Sequence, residues 1–486
     1  MRVTIAISVR RLVPAVTALS LAAWPVCGSA QTLSTQQLQA LSNWYHTSAR
    51  RAPGHWGIAI ANQQGDLLWS IKPDQSLVPA STVKLFTTGF ARTVLGADAK
   101  LETKVVGSGY IEPFSGEWIG SWALELNGDP SLENPAGTGP RLAELADQLA
   151  RLGIKKLTGP LEVRSASGPA GALYPEAWSR RHWGRLFAPL IGALTLHENV
   201  VRFTIRAGPR VGTPAEFVAE APEGVSSLVA NNVRTVAGSR SRVSLIALQN
   251  GGWVLRGTIG VRARPRGFTA VARNPKLVLE RAWAAALKDV GIGWSSTAPR
   301  PRAAIAVPVV LAEVESPTFD SIASDVNRRS LNLGAELMLR WAAREDGPAQ
   351  LSEHVRSVAG VSDGLHLVDG SGLSGDDRAS PLTFVHYLAN LPLTDAGRNF
   401  PLLLPANGDG TLRRLSSGLP EGVVRAKTGT LGNASTISGY LGRPDGVMIV
   451  SVMYNGGRPS TARQQQWKLF RLLGADGIAL PNELPL

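Results

Sequence analysis

The stretch VPASTVKLFTTGFARTVLG, residues 78–96, sets a serine and a lysine three positions apart at the opening of an amphipathic pattern. Val83, Leu85, Phe86, Phe90, Val94 and Leu95 recur at helical spacing. Ser81 and Lys84 therefore lie one turn apart on a common face. A serine hydroxyl is a weak nucleophile until a base removes its proton, and a lysine serves as that base only where its surroundings leave it neutral. Burial beside a second cation does this, and Lys427 is a candidate for that cation. The pattern is short, however. Lys84 alone among the ten lysines has a serine three residues before it, and roughly one such pair is expected by chance. By itself the pair reads equally well as part of a surface helix.

Lys427, Thr428 and Gly429 place a cation, a hydroxyl and a glycine on a predicted edge strand. The glycine keeps one side open to a ligand backbone, and an edge strand can pair with an extended peptide. The plain alternative is a hairpin edge. Ser330, Leu331 and Asn332 supply a hydroxyl and an amide at the start of a predicted helix, where the plain alternative is a helix cap by Ser330. A rival nucleophile lies in GVSDG, residues 360–364, which fits G-x-S-x-G with His366 two residues beyond. That motif needs strand, sharp turn and then helix. Here LSEHVRSVA before it reads as helix and LHLVD after it as strand. The seven histidines form no H-E-x-x-H or other ligand pair.

At 486 residues, 44% of them apolar, the chain has material for about three domains with sizeable cores. Residues 1–30 read as a secretion signal: Arg2, Arg10 and Arg11, then the apolar run LVPAVTALSLAAWPV, then GSA before Gln31. The mature chain is expected to be secreted and soluble. Cys27, the only cysteine, falls inside the signal, behind a Val26 that is bulky for a lipoprotein site. Cleavage after Ala30 leaves no disulfide and no thiolate metal site. The net charge of +13 falls to +10 without the three signal arginines. That balance suits a polyanionic neighbour as well as plain solubility. No zinc-finger spacing, aromatic-interleaved basic run or Walker loop points to nucleic acid.

GHWGIAIANQQGDLLWSIKPD alternates like two strands joined at NQQGD. From about 100 to 300, strand-like runs such as WALELNG, VVRFTIRAG and WVLRGTIGVRARP are cut by Gly and Pro, with only a few helices, notably GPRLAELADQLARLG and PKLVLERAWAAALKDVG. Beyond 320 helices return in RRSLNLGAELMLRWAARE and LSEHVRSVAG. GVVRAKTGT, STISGYLGR and VMIVSVMYN then form a predicted antiparallel meander at a sheet edge.

Taken in order, Ser81-x-x-Lys84, Ser330-x-Asn332 and Lys427-Thr428-Gly429 resemble the three motifs of the penicillin-recognising serine enzymes. The offset of 249 positions from Ser81 to Ser330 implies an insertion. With PASTVKLFTT, LELNGDPSL, IGALTLHENVV, RRSLNLGAE, VDGSGLSGDDRASP, LPANGDGTL and VRAKTGTLGNASTISGY, the chain resembles the D-alanyl-D-alanine carboxypeptidase/endopeptidases of the penicillin-binding protein 4 type, peptidase family S13, over about residues 55–455. The resemblance implies an α/β (α+β) fold: a β-lactamase-like serine transpeptidase domain in two pieces, 31–97 and 303–486. These would be split by a strand-rich two-domain insertion, with domain II at 98–175 and 262–302 and a nested domain III at 176–261.

It further implies that Ser81 attacks the carbonyl between two D-alanines, or between D-alanine and a cross-linking diamino acid, with Lys84 as base. Ser330 would relay a proton to the leaving amine. Asn332 would hold Lys84 and the substrate amide. Lys427 would supply charge for the terminal carboxylate and lower the pKa of Lys84, and Thr428 would bind that carboxylate too. Gly429 gives the ligand room, and the backbone N–H groups of Ser81 and Thr430 would hold the oxyanion. Peptidoglycan stem peptides and β-lactams are the expected partners, with no metal or organic cofactor. Homodimerisation and peripheral association with the wall or inner membrane stay open.

One position departs from the family pattern. Where many relatives carry an aspartate followed by an aromatic in this part of the inserted domain, this chain has VRSAS, with Arg164 at the acidic position and Ser167 in place of the aromatic. The reversed charge implies weaker acceptance of the diamino acid, or a taste for an amidated or carboxylate-bearing stem. A wall-binding scaffold without turnover and a slow serine β-lactamase are the alternatives. The intact motif residues count against the first, and the lack of a clear E-x-x-x-N segment between the first two motifs counts against the second.

Overall fold

Strands from the two ends of the chain close a single sheet. In the computed structural model, which describes residues 31–165, 169–299, 307–343, 346–361, 363–415, 418–475, 481, 482 and 484, the order across this sheet is Val424–Leu431, Ala434–Arg443, Gly446–Asn455, His55–Ala61 and Leu67–Ile71. Every neighbouring pair is antiparallel. The first three strands are the predicted meander, with the strand of Lys427 at the edge. The predicted hairpin turns at Asn62, whose side-chain oxygen accepts from the N–H groups of Gln64 and Asp66 at 3.0 and 2.8 Å.

Alternation along each strand feeds two cores. Ile58, Ile60, Val450 and Val452 face helices Thr35–Arg51 and Pro459–Ala475. The first of these is opened by a Ser34–Gln37 capping box and docked by Trp44, whose indole N–H donates to the Gln465 carbonyl at 3.0 Å. Ala59, Ala61, Ile449 and Met453 face a layer built on helices Val83–Leu95, Phe319–Arg329, Asn332–Ala342, Gly347–Ala359 and Pro381–Asn390. Val83–Leu95 runs through the middle of that layer, with Val83 to Arg92 all buried. Two of these residues carry the load of the packing. Phe86 stacks on Phe384 at 4.4 Å between ring centroids, and Gly89 leaves room for the Tyr387 hydroxyl, which would lie 2.1 Å from a Cβ there.

The middle of the chain forms separate sheets. Val309–Glu315, Glu102–Ile111, Trp118–Glu125 and Val163–Arg164 make one. Glu216–Ala221, Val200–Arg206 and Arg266–Val271 make a second. Val229–Val236, Trp253–Gly260 and Ser241–Ala247 make a third. One apolar cluster joins all three to helices Leu142–Arg151 and Pro275–Asp289. Two strand pairs cross the expected boundaries: Val309–Glu315, placed in the peptidase domain, pairs with Glu102–Ile111, and Arg266–Val271, placed in domain II, pairs with Val200–Arg206. Pairing across such separations leaves no local mark in a sequence. Residues 1–30, read above as a secretion signal, and Ser167 lie outside the described residues.

Gly89→Ala is expected to destabilise the protein by about 1–2 kcal/mol, because overpacking against Tyr387 outweighs the gain in helix propensity. Urea denaturation checks this, and Tyr387→Phe in the same background should recover part of the loss. A more stable Gly89→Ala would show that the helix can move aside.

Candidate active site

Ser81 sits on a short 3-10 turn, Ala80–Thr82, that leads into helix Val83–Leu95. The hydroxyls of Thr82 and Thr436 pin the turn by donating to the Pro79 carbonyl at 2.7 and 2.6 Å. The strand of Lys427 passes directly over this backbone. A Cβ at Gly429 would lie 2.7 Å from the Pro79 oxygen and 2.8 Å from the Ser81 nitrogen. From the other side, a Cβ at Gly372 would lie 1.9 Å from the Ala80 oxygen. Only glycine fits at either position.

Lys84 is fully buried. Its Nζ lies 2.6 Å from Asn332 Oδ1, 2.6 Å from the Ser371 carbonyl oxygen and 3.2 Å from Ser81 Oγ. The first two can only accept, whereas the hydroxyl can also donate. A neutral amine, with two N–H bonds and one lone pair, satisfies all three contacts if Ser81 donates its proton to the lone pair. The amide of Asn332 is oriented by its own nitrogen, which donates to the Phe187 carbonyl at 2.8 Å. Burial pushes Lys84 down from 10.5 to about 8, while the negative charges of Asp369, Glu336 and Asp377 oppose the fall.

Lys427 is also fully buried, and its Nζ donates to Ser330 Oγ at 2.9 Å and to the Thr428 carbonyl at 2.8 Å. Burial holds its pKa well below the ordinary lysine value, with Lys84 and then Arg463 adding to the fall. Solvent exclusion is the main cause at both amines, and the like-charge repulsion between them is mutual.

Ser330 does not cap the following helix, whose N-cap is Leu331. It ends the preceding helix in the left-handed region, φ +58° and ψ +44°, so the predicted continuous helix breaks there. Thr428 is buried, while Thr430 is exposed at the mouth. Arg463, on Pro459–Ala475, donates to the Gly429 carbonyl at 2.6 Å and to Thr430 Oγ1 at 3.2 Å.

Several residues here escaped sequence reasoning. Asp369 accepts from the N–H groups of Ser371, Gly372 and Ser374 at 3.0, 2.5 and 2.7 Å, shaping the loop whose Ser371 carbonyl meets Lys84. Glu336 accepts from the Gly370 N–H at 3.1 Å, and burial, then Asp369, pushes it up to about 8. Its signal was its place four residues after Asn332 on one helix face. Ser371 acts through a backbone carbonyl and left no side-chain signal. Beside the site, a cavity of about 590 Å³ is lined by Trp178, Arg181, His182, Leu373, Asp376 and Asn433 among others.

Arg164 is not brought to this cluster. It is exposed on strand Val163–Arg164, 3.6 Å from Glu162, and no hydrogen bond or ion pair joins it to the three motifs among the described residues. The rival elbow lacks its scaffold: helix Gly347–Ala359 precedes it, and His366 makes an isolated bridge to Arg378 in place of the expected strand. The serine of that motif lies outside the described residues.

Comparison with known proteins agrees with this geometry. The chain is 25% identical over 434 residues to a D-alanyl-D-alanine carboxypeptidase of Actinomadura sp. strain R39, covering 82% of this chain and 77% of that protein. It is 22% identical over 423 residues to D-alanyl-D-alanine carboxypeptidase DacB of Haemophilus influenzae, covering 82% and 85%. The crystal structure of penicillin-binding protein 4 from Haemophilus influenzae superposes with a TM-score of 0.68 at 19% identity, covering 89% of this chain and 98% of that one. The same protein complexed with a β-lactam superposes with a TM-score of 0.67 at 20% identity, again covering 89% and 98%. The fold is thus the mixed α/β penicillin-binding protein 4 type. Residues 46–473 match the model of the D-Ala-D-Ala carboxypeptidase 3 (S13) family, and the chain belongs to that family.

Proposed function

We propose that this protein is a periplasmic serine DD-peptidase, delivered by the segment 1–30, that removes the terminal D-alanine of peptidoglycan stem peptides and opens their D-Ala cross-links. One observation carries the reading: the buried Nζ of Lys84 lies between two acceptors and the Ser81 hydroxyl, within reach of the proton that the nucleophile must lose. Lys84 takes the Ser81 proton as Oγ bonds to the scissile carbonyl carbon, and the oxyanion is held by the backbone N–H groups of Ser81 and Thr430. Ser330, whose oxygen already accepts from Lys427, gives its proton to the departing amine as the C–N bond breaks and takes back the one held by the Lys84 ammonium, which returns to the neutral amine. Lys427 and Thr428 receive the carboxylate of the leaving residue, and Asn332 orients both Lys84 and the substrate amide. Water then cleaves the acyl-enzyme. A β-lactam, which keeps its leaving group tethered, stays attached to Ser81.

Incubation with benzylpenicillin followed by intact-mass measurement tests this directly. One adduct is expected, absent from Ser81→Ala. A folded protein without adduct would favour the scaffold alternative, and rapid loss of the adduct would favour a β-lactamase.

The acylation rate should also report Lys84. Only its neutral form accepts the Ser81 proton, and burial lowers its pKa to about 8. The rate is therefore expected to fall below pH 8 by about tenfold per unit and to level off above it. Stopped-flow acylation at several pH values checks this; a profile flat between pH 6 and 9 would exclude Lys84 as the titrating base.

A further inference from the structure

His197, Glu198 and Asn199 take φ values of +49°, +58° and +53° in succession, a left-handed run that side chains other than glycine avoid. All three residues are buried. Their surroundings enforce the run. The His197 N–H donates to the Leu132 carbonyl at 2.9 Å, and His197 Nδ1 lies 2.8 Å from the Val200 carbonyl oxygen. The Asn199 amide donates to the carbonyls of Leu190 and Leu194 at 3.0 and 3.1 Å. Backbone held in such regions is concentrated at functional sites.

What the run delivers is the Glu198 carboxylate. Its two oxygens meet the two terminal nitrogens of Arg329 at 2.6 and 2.7 Å, a fork-to-fork pair. Arg329 is the last residue of helix Phe319–Arg329, and the next residue is Ser330, itself left-handed. Two residues further on, the Asn332 amide donates to Phe187. The turn of Ser330 is thus held at both ends by one inserted segment, 187–199. Asp325, which also meets Arg329 at 2.7 Å, lies on the same helix and ties the turn to nothing outside it.

We propose that the Glu198–Arg329 ion pair is a positioning device for Ser330. It holds the turn in the conformation that presents Ser330 Oγ to Lys427, so the inserted region takes part in delivering the proton to the leaving group. Neither residue touches the reacting atoms; both act through Ser330. The inference rests on the acyl-enzyme reading above.

The test compares wild type, Glu198→Gln, Glu198→Asp and Arg329→Lys on two substrates with the same acyl group, a peptide ending in D-Ala-D-Ala and a thiolester with a thiolate leaving group. An amine must be protonated as it leaves, whereas a thiolate need not be. Glu198→Gln and Arg329→Lys are expected to lower kcat on the peptide about tenfold or more while KM stays within about twofold and the thiolester rate is nearly unchanged. Glu198→Asp, which keeps the charge, should recover part of the loss. Equal losses on both substrates, as general loosening would give, or no loss on the peptide, would overturn the proposal. Should Glu198→Gln fail to fold, Arg329→Lys carries the comparison, since it retains the charge and loses only the fork. Benzylpenicillin separates the two ways of failing. A wild type that forms no Ser81 adduct removes the acyl-enzyme reading itself, whereas adducts formed at wild-type rate by every variant remove only the role of Glu198 and Arg329.

Discussion

Lys84 is an amine with no access to water, and much of the surrounding structure follows from that. A buried ammonium is costly unless it is paired or loses its proton. Here its nitrogen meets the Asn332 side chain, the Ser371 carbonyl and the Ser81 hydroxyl. Each partner comes from a different part of the chain, so burying one lysine requires three segments to converge. Asp369 bends the loop that supplies Ser371 by accepting three backbone N–H groups, and its negative charge checks the fall in the Lys84 pKa.

Convergence depends on closing the sheet from both ends of the chain. Pairing of His55–Ala61 with Gly446–Asn455 sets the N-terminal hairpin beside the C-terminal meander, whose outer strand carries Lys427. The last few ångströms rest on missing side chains. At Gly372 and Gly429 a Cβ would collide with the backbone around Ser81, so the openness expected of Gly429 serves first to admit the nucleophile's own turn. The inserted region completes the site from a third direction, through Phe187 to Asn332, Glu198 to Arg329, and a small apolar cluster in which Trp178 and Ile191 meet Leu333, Leu337 and Leu373.

Local chemistry was legible in the sequence; long-range geometry was not. The helix after Ser81, the hairpin near residue 60 and the terminal meander follow from spacing and alternation. The three motifs named Ser81, Lys84, Ser330, Asn332 and Lys427, and the structure brings Lys84 to Ser81 and Asn332, and Lys427 to Ser330. A helix cap was the plain alternative for Ser330, since serine before a helical pattern usually is one; the left-handed break found there depends on what grips the turn from outside. The strands at 266–271 and 309–315 return to partners far back in the chain, a pairing that the changed texture of residues 100–300 does not show. Arg164 was singled out by its place in a motif, yet its ion pair is with Glu162.

Five buried ionisable groups share this interior, and burial drives four of them toward their neutral forms. It lowers Lys84 and Lys427 and raises Glu336 and Asp377. Asp369 differs in having three backbone donors aimed at its oxygens. The two amines are close enough that Lys84 contributes to depressing Lys427, so their protons are linked. On the chemistry proposed above, a substrate carboxylate beside Lys427 favours the ammonium there. The like-charge effect then turns back on Lys84 and favours its neutral form. Binding of the anionic end of the substrate would in this way help prepare the base that activates Ser81, with no group having to move.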